Sequence, residues 1–182
     1  PEDLAIGDLD SDGVPDLAVA NYSSGDVSVL LGAGDGTFGG AQSVSAGYRP
    51  ISVAIADLDR DGIPDLVIAN SNDNFSNNVD DVTVLLGDGD GTFTPMPPLT
   101  AGTDPTAVAT GDLDGDGCAE VLFCKDLRLY VADGRTGEII RSQTTPLSRP
   151  SDSPPGGRPY ARISGDALYI CNLSGAPRPQ EI

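Results

Sequence analysis

The 182-residue sequence contains no histidine and no tryptophan, and it has a single lysine, Lys125. The absence of histidine removes the commonest general base and every histidine-dependent catalytic triad. A phosphate-binding G-x-x-x-x-G-K-[ST] loop is also missing. No window of ten or more residues shows the apolar periodicity of an amphipathic helix. We therefore expect an all-β protein that is not an enzyme.

Basic residues are scarce, because 10 Lys and Arg stand against 28 Asp and Glu and give a formal net charge of −18. Residues 1–120 hold 22 of the acids and only two bases, so we expect no nucleic-acid partner. The later part of the chain is more basic and could form a patch for a partner. Ordinary surface charge is the favoured interpretation of these basic residues, among them Arg141, Arg149, Arg158 and Arg162.

What the sequence has instead is a nine-residue acidic loop that occurs three times between apolar runs. The loops read D-L-D-S-D-G-V-P-D at 8–16, D-L-D-R-D-G-I-P-D at 57–65 and D-L-D-G-D-G-C-A-E at 112–120. Each has carboxylates at positions 1, 3, 5 and 9 and glycine at position 6. Oxygen ligands spaced this closely suit Ca²⁺, which takes about six to eight of them. A polar Asp-Gly turn would explain one such loop, but not three with the same spacing.

The spacing also predicts which atoms bind the ion. Glycine at position 6 allows a sharp turn, so the backbone carbonyl of position 7 can face the carboxylates. The loop is not an EF-hand, because position 12 is an apolar residue of a strand and not Glu, so the ninth residue must close the site. The predicted ligands are Asp8, Asp10, Asp12, Val14 and Asp16; Asp57, Asp59, Asp61, Ile63 and Asp65; and Asp112, Asp114, Asp116, Cys118 and Glu120. Asp88 and Asp90 resemble a further ligand pair, although a hairpin turn is favoured there.

The acidic loops belong to longer repeats. A proline stands seven residues before the first aspartate of each loop, at Pro1, Pro50 and Pro105. Each unit predicts four short strands: A before the loop, B after it, C in V-S-V-L-L or V-T-V-L-L, and D after G-D-G-T-F. Four-stranded antiparallel units of this length are typical of β-propeller blades. The predicted blades are 1–49, 50–104 and 105–158, the last with a Pro-rich connection, followed by a partial fourth unit at 159–182 without the acidic loop.

These repeats resemble the FG-GAP repeat, also called VCBS, which is the blade unit of integrin α-subunit propellers and of many secreted bacterial and fungal propellers. The resemblance is strong over the first three units, and Phe38-Gly39-Gly40-Ala41 retains most of the family's naming signature. It implies Ca²⁺ in the A–B loop, hence three ions, with Glu120 replacing Asp in the third loop. It also implies a non-catalytic extracellular module that serves protein interaction, adhesion or structural assembly.

Three and a half units cannot close a ring in the usual way, so we expect further blades from the same polypeptide or from another chain. One alternative function is a lectin-type propeller that binds glycans. The absence of tryptophan weakens it, but Tyr22 and Phe75 could serve as aromatic platforms. The other alternative is an accessory propeller of a larger secreted enzyme, which the incomplete number of blades favours.

The three cysteines do not predict a disulfide framework. Cys124 and Cys171 hold the same strand-B position in neighbouring units, which is too far apart for a disulfide between adjacent blades. Small buried thiols are therefore the favoured interpretation. The sequence shows no secretory signal and no apolar membrane span, so we expect no direct membrane insertion. It begins at Pro1 without Met, so the missing signal says little about localisation.

Overall fold

The computed structural model describes residues 1–71, 82–97, 99, 105–125, 128–144, 161–164 and 167–170. These residues form strands, turns and bends, and none of them lies in a helix. In this part of the chain there is accordingly no long apolar helix of the kind that crosses a bilayer. The prediction of an all-β protein is confirmed for the described residues.

In the described residues, three four-stranded antiparallel sheets follow one another along the chain, one in each of the first three predicted units. The strands of each sheet are ordered as in the sequence, so every strand pairs with its predecessor. The first sheet contains β1 (Asp3–Gly7), β2 (Asp16–Asn21), β3 (Asp26–Leu30) and β4 (Gln42–Ser45). The second contains β5 (Pro50–Ala56), β6 (Asp65–Asn70), β7 (Val82–Gly87) and β8 (Phe93–Pro95). The third contains β9 (Ala107–Gly111), β10 (Glu120–Lys125), β11 (Arg128–Ala132) and β12 (Ile139–Thr144).

Two further strands belong to the fourth unit. They are β13 (Ala161–Ser164) and β14 (Ala167–Ile170), which pair with each other as an antiparallel hairpin. The predicted Pro-rich connection before this hairpin lies outside the described residues, as do Phe75 and Cys171.

The burial of the second strands shows how the sheets are stacked. Alternate residues of β2 are buried, whereas all six residues of β6 are buried. Successive side chains of a strand point to opposite faces of its sheet. The first sheet is therefore packed firmly on one face only, while the second is covered on both faces by its neighbours.

Two apolar cores fill the spaces between the sheets. The first core joins sheets one and two and includes Leu9, Val27 and Val29 on one side and Val53 and Ile68 on the other. The second core joins sheets two and three in the same way, and it contains Leu58, Val67, Val84, Val108, Val121 and Phe123. Burial of such side chains, at about 25 cal/mol per Å² of apolar surface, is the main force that holds the sheets together.

The first strands of successive sheets contact one another, β1 with β5 and β5 with β9. A polar contact accompanies this packing, because Asp3 Oδ2 accepts hydrogen bonds from Ser52 Oγ at 2.9 Å and from the Val53 N–H at 3.0 Å. Ser52 repeats the contact one sheet further, where its Oγ accepts the Val108 N–H at 3.5 Å. The described sheets thus form an open series with a repeated junction, and not a closed ring.

Candidate metal centres

The three acidic loops connect the first strand of a sheet to its second strand, β1 to β2, β5 to β6 and β9 to β10. Because the sheets share one strand order and stack through equivalent faces, the loops lie along the same rim of the stack. A hydrogen bond of 2.7 Å from Arg60 Nη1 to the backbone carbonyl oxygen of Asp116 shows that the second and third loops are neighbours.

The carboxylates at positions 1, 3 and 5 accept backbone N–H groups of their own loop. Position 1 bonds to the glycine at position 6 at 2.9, 3.0 and 3.1 Å in the three loops. Position 3 bonds to position 5 at 3.1–3.2 Å, and position 5 bonds to position 7 at 2.7–2.8 Å. The glycines of position 6 have φ angles of 84°, 86° and 88°, a left-handed conformation that favours glycine. These bonds turn the carboxylates inward and hold them close together.

The ninth residue of each loop is buried, with exposed fractions of 0%, 1% and 4% for Asp16, Asp65 and Glu120. One carboxylate oxygen accepts the N–H of the loop's second residue, at 2.6 Å in the first loop and 2.7 Å in the other two. The second oxygen of Asp16 accepts the Gly32 N–H at 2.7 Å, and that of Asp65 accepts the Gly87 N–H at 2.9 Å. The ninth residue therefore closes its loop, and in the first two loops it also ties the loop to the end of the third strand.

This second contact of the ninth residue was missed by sequence reasoning. Its signal was the Leu-Gly pair that precedes both G-D-G-T-F turns, at Gly32 and Gly87. A Cβ atom at either glycine would collide with a backbone carbonyl oxygen of the acidic loop, that of Pro15 or Pro64. Only glycine lets the chain pass close enough for its N–H to reach the buried carboxylate.

Three carboxylates of each loop bring one oxygen each to within 4.8 Å of one another. These groups are Asp8, Asp10 and Asp16; Asp57, Asp59 and Asp61; and Asp112, Asp114 and Glu120. The fourth predicted acid of each loop, Asp12, Asp65 or Asp116, is not part of its close group. The predicted carbonyl ligands lie at the seventh position, where Val14, Ile63 and Cys118 each donate their N–H to the carboxylate at position 5.

The close groups fit a calcium ion in size and chemistry. Ca²⁺ binds oxygens at about 2.3–2.6 Å, so two of its ligands are at most about 5 Å apart. The observed limit of 4.8 Å lies within that span, and every donor is a carboxylate oxygen. The site would place Ca²⁺ against the three carboxylates of each group, which include the ninth residue in the first and third loops but not in the second.

The carboxylates are also crowded electrostatically. Burial, together with the charges of Asp12, Asp16 and Asp8, raises the pKa of Asp10. Burial raises the pKa of Asp65 to about 6, with smaller contributions from the charges of Asp59 and Asp61, and the hydrogen bonds from the Gly87 and Leu58 N–H groups act in the opposite direction. At these two carboxylates the neighbouring negative charges therefore add to the effect of burial in disfavouring the ionised form.

The acids of the C–D turns have a different role. Asp90 Oδ1 accepts bonds from the Thr92 N–H at 3.0 Å and from its hydroxyl at 2.5 Å, and Asp88 accepts the Thr94 hydroxyl at 3.2 Å. The bonds from Thr92 lower the pKa of Asp90. Asp88 and Asp90 thus take part in the hairpin turn, in agreement with the favoured interpretation. Cys118 and Cys124 are free buried thiols, as predicted.

Comparison with known protein families gives two matches to the FG-GAP-like repeat, at residues 8–68 and 61–123. The first begins at the first aspartate of loop one and ends within β6, and the second begins in loop two and ends within β10. The two matches together span residues 8–123, which is more than half of the chain. The curated proteins include no significant match. On the evidence of these repeats, the chain belongs to the FG-GAP-like repeat family.

Proposed function

We propose that the chain is a calcium-stabilised β-propeller module without catalytic activity, which serves protein interaction, adhesion or structural assembly outside the cytoplasm. The observation that carries this proposal is the set of three acidic loops on one rim, each with three converging carboxylates. A carboxylate held by Ca²⁺ stays ionised and is not available as a proton donor. These acids therefore fit a metal-binding role better than acid–base catalysis.

The ions act on stability. Each one relieves the repulsion among the carboxylates of its loop, and three Ca²⁺ ions, with six positive charges, would change the formal charge from −18 to −12. Because the loops are assembled only when the sheets are folded, the binding free energy adds to the free energy of unfolding. An extracellular location fits this role, because calcium is abundant enough there to occupy the sites.

Calorimetric titration of the chelated protein with Ca²⁺ tests this proposal. We expect three bound ions, loss of one ion in Asp10→Asn, and no loss in Asp88→Asn, which removes a similar charge from a hairpin turn. The third site, with the longer Glu120, should be the first to empty under chelation. Fewer than two sites, or a preference for Zn²⁺ over Ca²⁺, would contradict the proposal.

We also propose that the three sheets are consecutive blades of a larger propeller. At both internal junctions the fourth residue of the following unit is buried, with exposed fractions of 6% for Val53 and 4% for Val108. The equivalent Leu4 of the first unit is 57% exposed, and Ile6 on the same face is 64% exposed. This face repeats the residues that the next sheets use for packing, so a further FG-GAP-like blade, from the same polypeptide or from another chain, is the partner that fits it.

Sedimentation of the 182-residue chain tests the second proposal. We expect self-association through the open face, which Leu4→Glu reduces. Ile140 on β12 is 54% exposed and belongs to the third sheet, not to the open face of the first, so Ile140→Glu is the matched control and should leave association through the Leu4 face unchanged. A monodisperse 18.6 kDa monomer with a closed four-bladed ring would refute this proposal.

Glycan binding is an alternative function, and its candidate surface is the rim opposite the acidic loops. Tyr22 and Tyr48 lie there, and Tyr48 is 48% exposed. The guanidinium carbon of Arg49 lies 5.1 Å from the centroid of each ring. Arg49 thus occupies a ring face of both tyrosines, which favours a structural role over a sugar platform. Binding on a glycan array that Tyr48→Ala abolishes would reverse this preference.

A further inference from the structure

Arg60 occupies an unusual position in the second acidic loop. It is the fourth residue of that loop and adopts a φ of 67°, where the first loop has Ser11 at 61° and the third has Gly115 at 79°. This left-handed region costs a side chain about 1 kcal/mol relative to glycine. The second loop therefore carries a long cationic side chain at its fourth position, where the other two loops have serine and glycine in the same backbone conformation.

The side chain of Arg60 extends away from its own loop and reaches the third loop. Its Nη1 donates to the backbone carbonyl oxygen of Asp116 at 2.7 Å. Its guanidinium lies against Gly117, where a Cβ atom would come within 2.8 Å of Arg60 Cζ. The absence of a side chain at Gly117 thus makes room for the cation. Ser11 is too short to make the same bridge from the first loop to the second.

This contact places a permanent positive charge against the backbone of the third acidic loop, at Asp116 and Gly117. A guanidinium remains protonated at every physiological pH. The acidic part of the chain, residues 1–120, contains only one other basic residue, Arg49.

We infer that Arg60 is a built-in counter-cation of the third loop, which stabilises the metal-free loop and weakens its hold on Ca²⁺. The inference rests on the proposed calcium binding. The three sites would then have different roles. Loops one and two would hold their ions for stability, while loop three would exchange its ion as the calcium concentration changes. The bond to the Asp116 carbonyl holds the cation in place whether or not an ion is present.

The test compares Arg60→Ser, which installs the residue of loop one, with Arg128→Ser, which removes the same charge from the other end of the third sheet. Titration with Ca²⁺ is followed by calorimetry, and Glu120→Gln in each background identifies the third site. At low ionic strength we expect Arg60→Ser to raise the affinity of the third site about three- to tenfold, since a unit charge at several ångströms from a divalent ion is worth that much in water. Arg128→Ser should change it less than about twofold.

Arg60→Lys keeps the charge and should retain affinity close to that of the natural protein. An unchanged or lower affinity of the third site in Arg60→Ser would overturn the inference. A second readout needs no calcium: in chelator, Arg60→Ser should melt at a lower temperature than Arg128→Ser. If no variant binds calcium but this difference remains, the proposed calcium function fails while the counter-cation role stands. If the two variants melt alike, the counter-cation role fails.

Discussion

Replacement of Asp16 by alanine tests whether the ninth residue of an acidic loop stabilises the fold independently of any metal. In the first loop its carboxylate is fully buried and accepts the Leu9 N–H at 2.6 Å and the Gly32 N–H at 2.7 Å. A buried N–H that loses its acceptor costs about 1–3 kcal/mol, and the bond to Gly32 is only partly buried. Removal of one charge from the repelling group offsets part of this loss. We expect a net destabilisation of about 2–3 kcal/mol, a large part of the roughly 5–15 kcal/mol that holds a domain folded.

The assay is urea denaturation in the presence of chelator, followed by far-ultraviolet circular dichroism, so that loss of metal does not contribute. Asp35→Ala is the matched control, because Asp35 also accepts two bonds, from the Thr37 N–H at 2.9 Å and its hydroxyl at 2.6 Å, but is exposed. Substitutions at such exposed positions usually change stability by less than about 0.5 kcal/mol. If Asp16→Ala and Asp35→Ala are equally stable in chelator, the ninth residue acts only through the metal and the structural role assigned to it is wrong.

Three further substitutions or conditions give separate tests. In chelator, the melting temperature should fall as the pH rises from about 4 to about 6, because the folded Asp65, with its pKa of about 6, still binds a proton that the unfolded chain has already released. Saturating Ca²⁺ should abolish this trend. A melting temperature that rises with pH in chelator would contradict it. Leu9→Ala should cost about 3–5 kcal/mol in denaturant titrations and Leu113→Ala less than about 1, since Leu9 is fully buried and Leu113 is 58% exposed. Gly87→Ala, which forces a Cβ atom against the Pro64 carbonyl, should destabilise by about 1–3 kcal/mol, whereas Gly40→Ala has open space and should be nearly neutral; equal effects would show that the close approach is not needed.

Much of the fold follows from the sequence because its signals are local and repeated. Strand A, the acidic loop and strand B were predicted from an apolar run on each side of an Asp-Gly turn, and β1 and β2 lie where this pattern places them. The third unit has R-L-Y-V-A in place of V-S-V-L-L or V-T-V-L-L, and β11 at Arg128–Ala132 nevertheless occupies the place of strand C. The repetition itself removed the ambiguity that a single short apolar run would leave.

The arrangement of the carboxylates was only partly predictable. Spacing placed four acids in each loop but did not show which three converge, because the ninth residue joins the close group in the first and third loops and not in the second. Nor did it show that the ninth residue also accepts the N–H of the loop's second residue. The bridge from Arg60 to Asp116 joins residues 56 positions apart, so no pattern within one unit could reveal it.

The leucine at the second position of each loop shows why the metal sites and the blade junctions belong to one system. Leu9 and Leu58 are fully buried in the two cores, while their N–H groups donate to the ninth-position carboxylates of the same loops. An ion that orders such a loop would also fix the position of its leucine side chain, which packs in the apolar core between that sheet and the next. Leu113 makes the same backbone bond at 2.7 Å, but its side chain is 58% exposed. Occupancy of the third loop should therefore add least to packing, which agrees with an exchangeable ion beside Arg60.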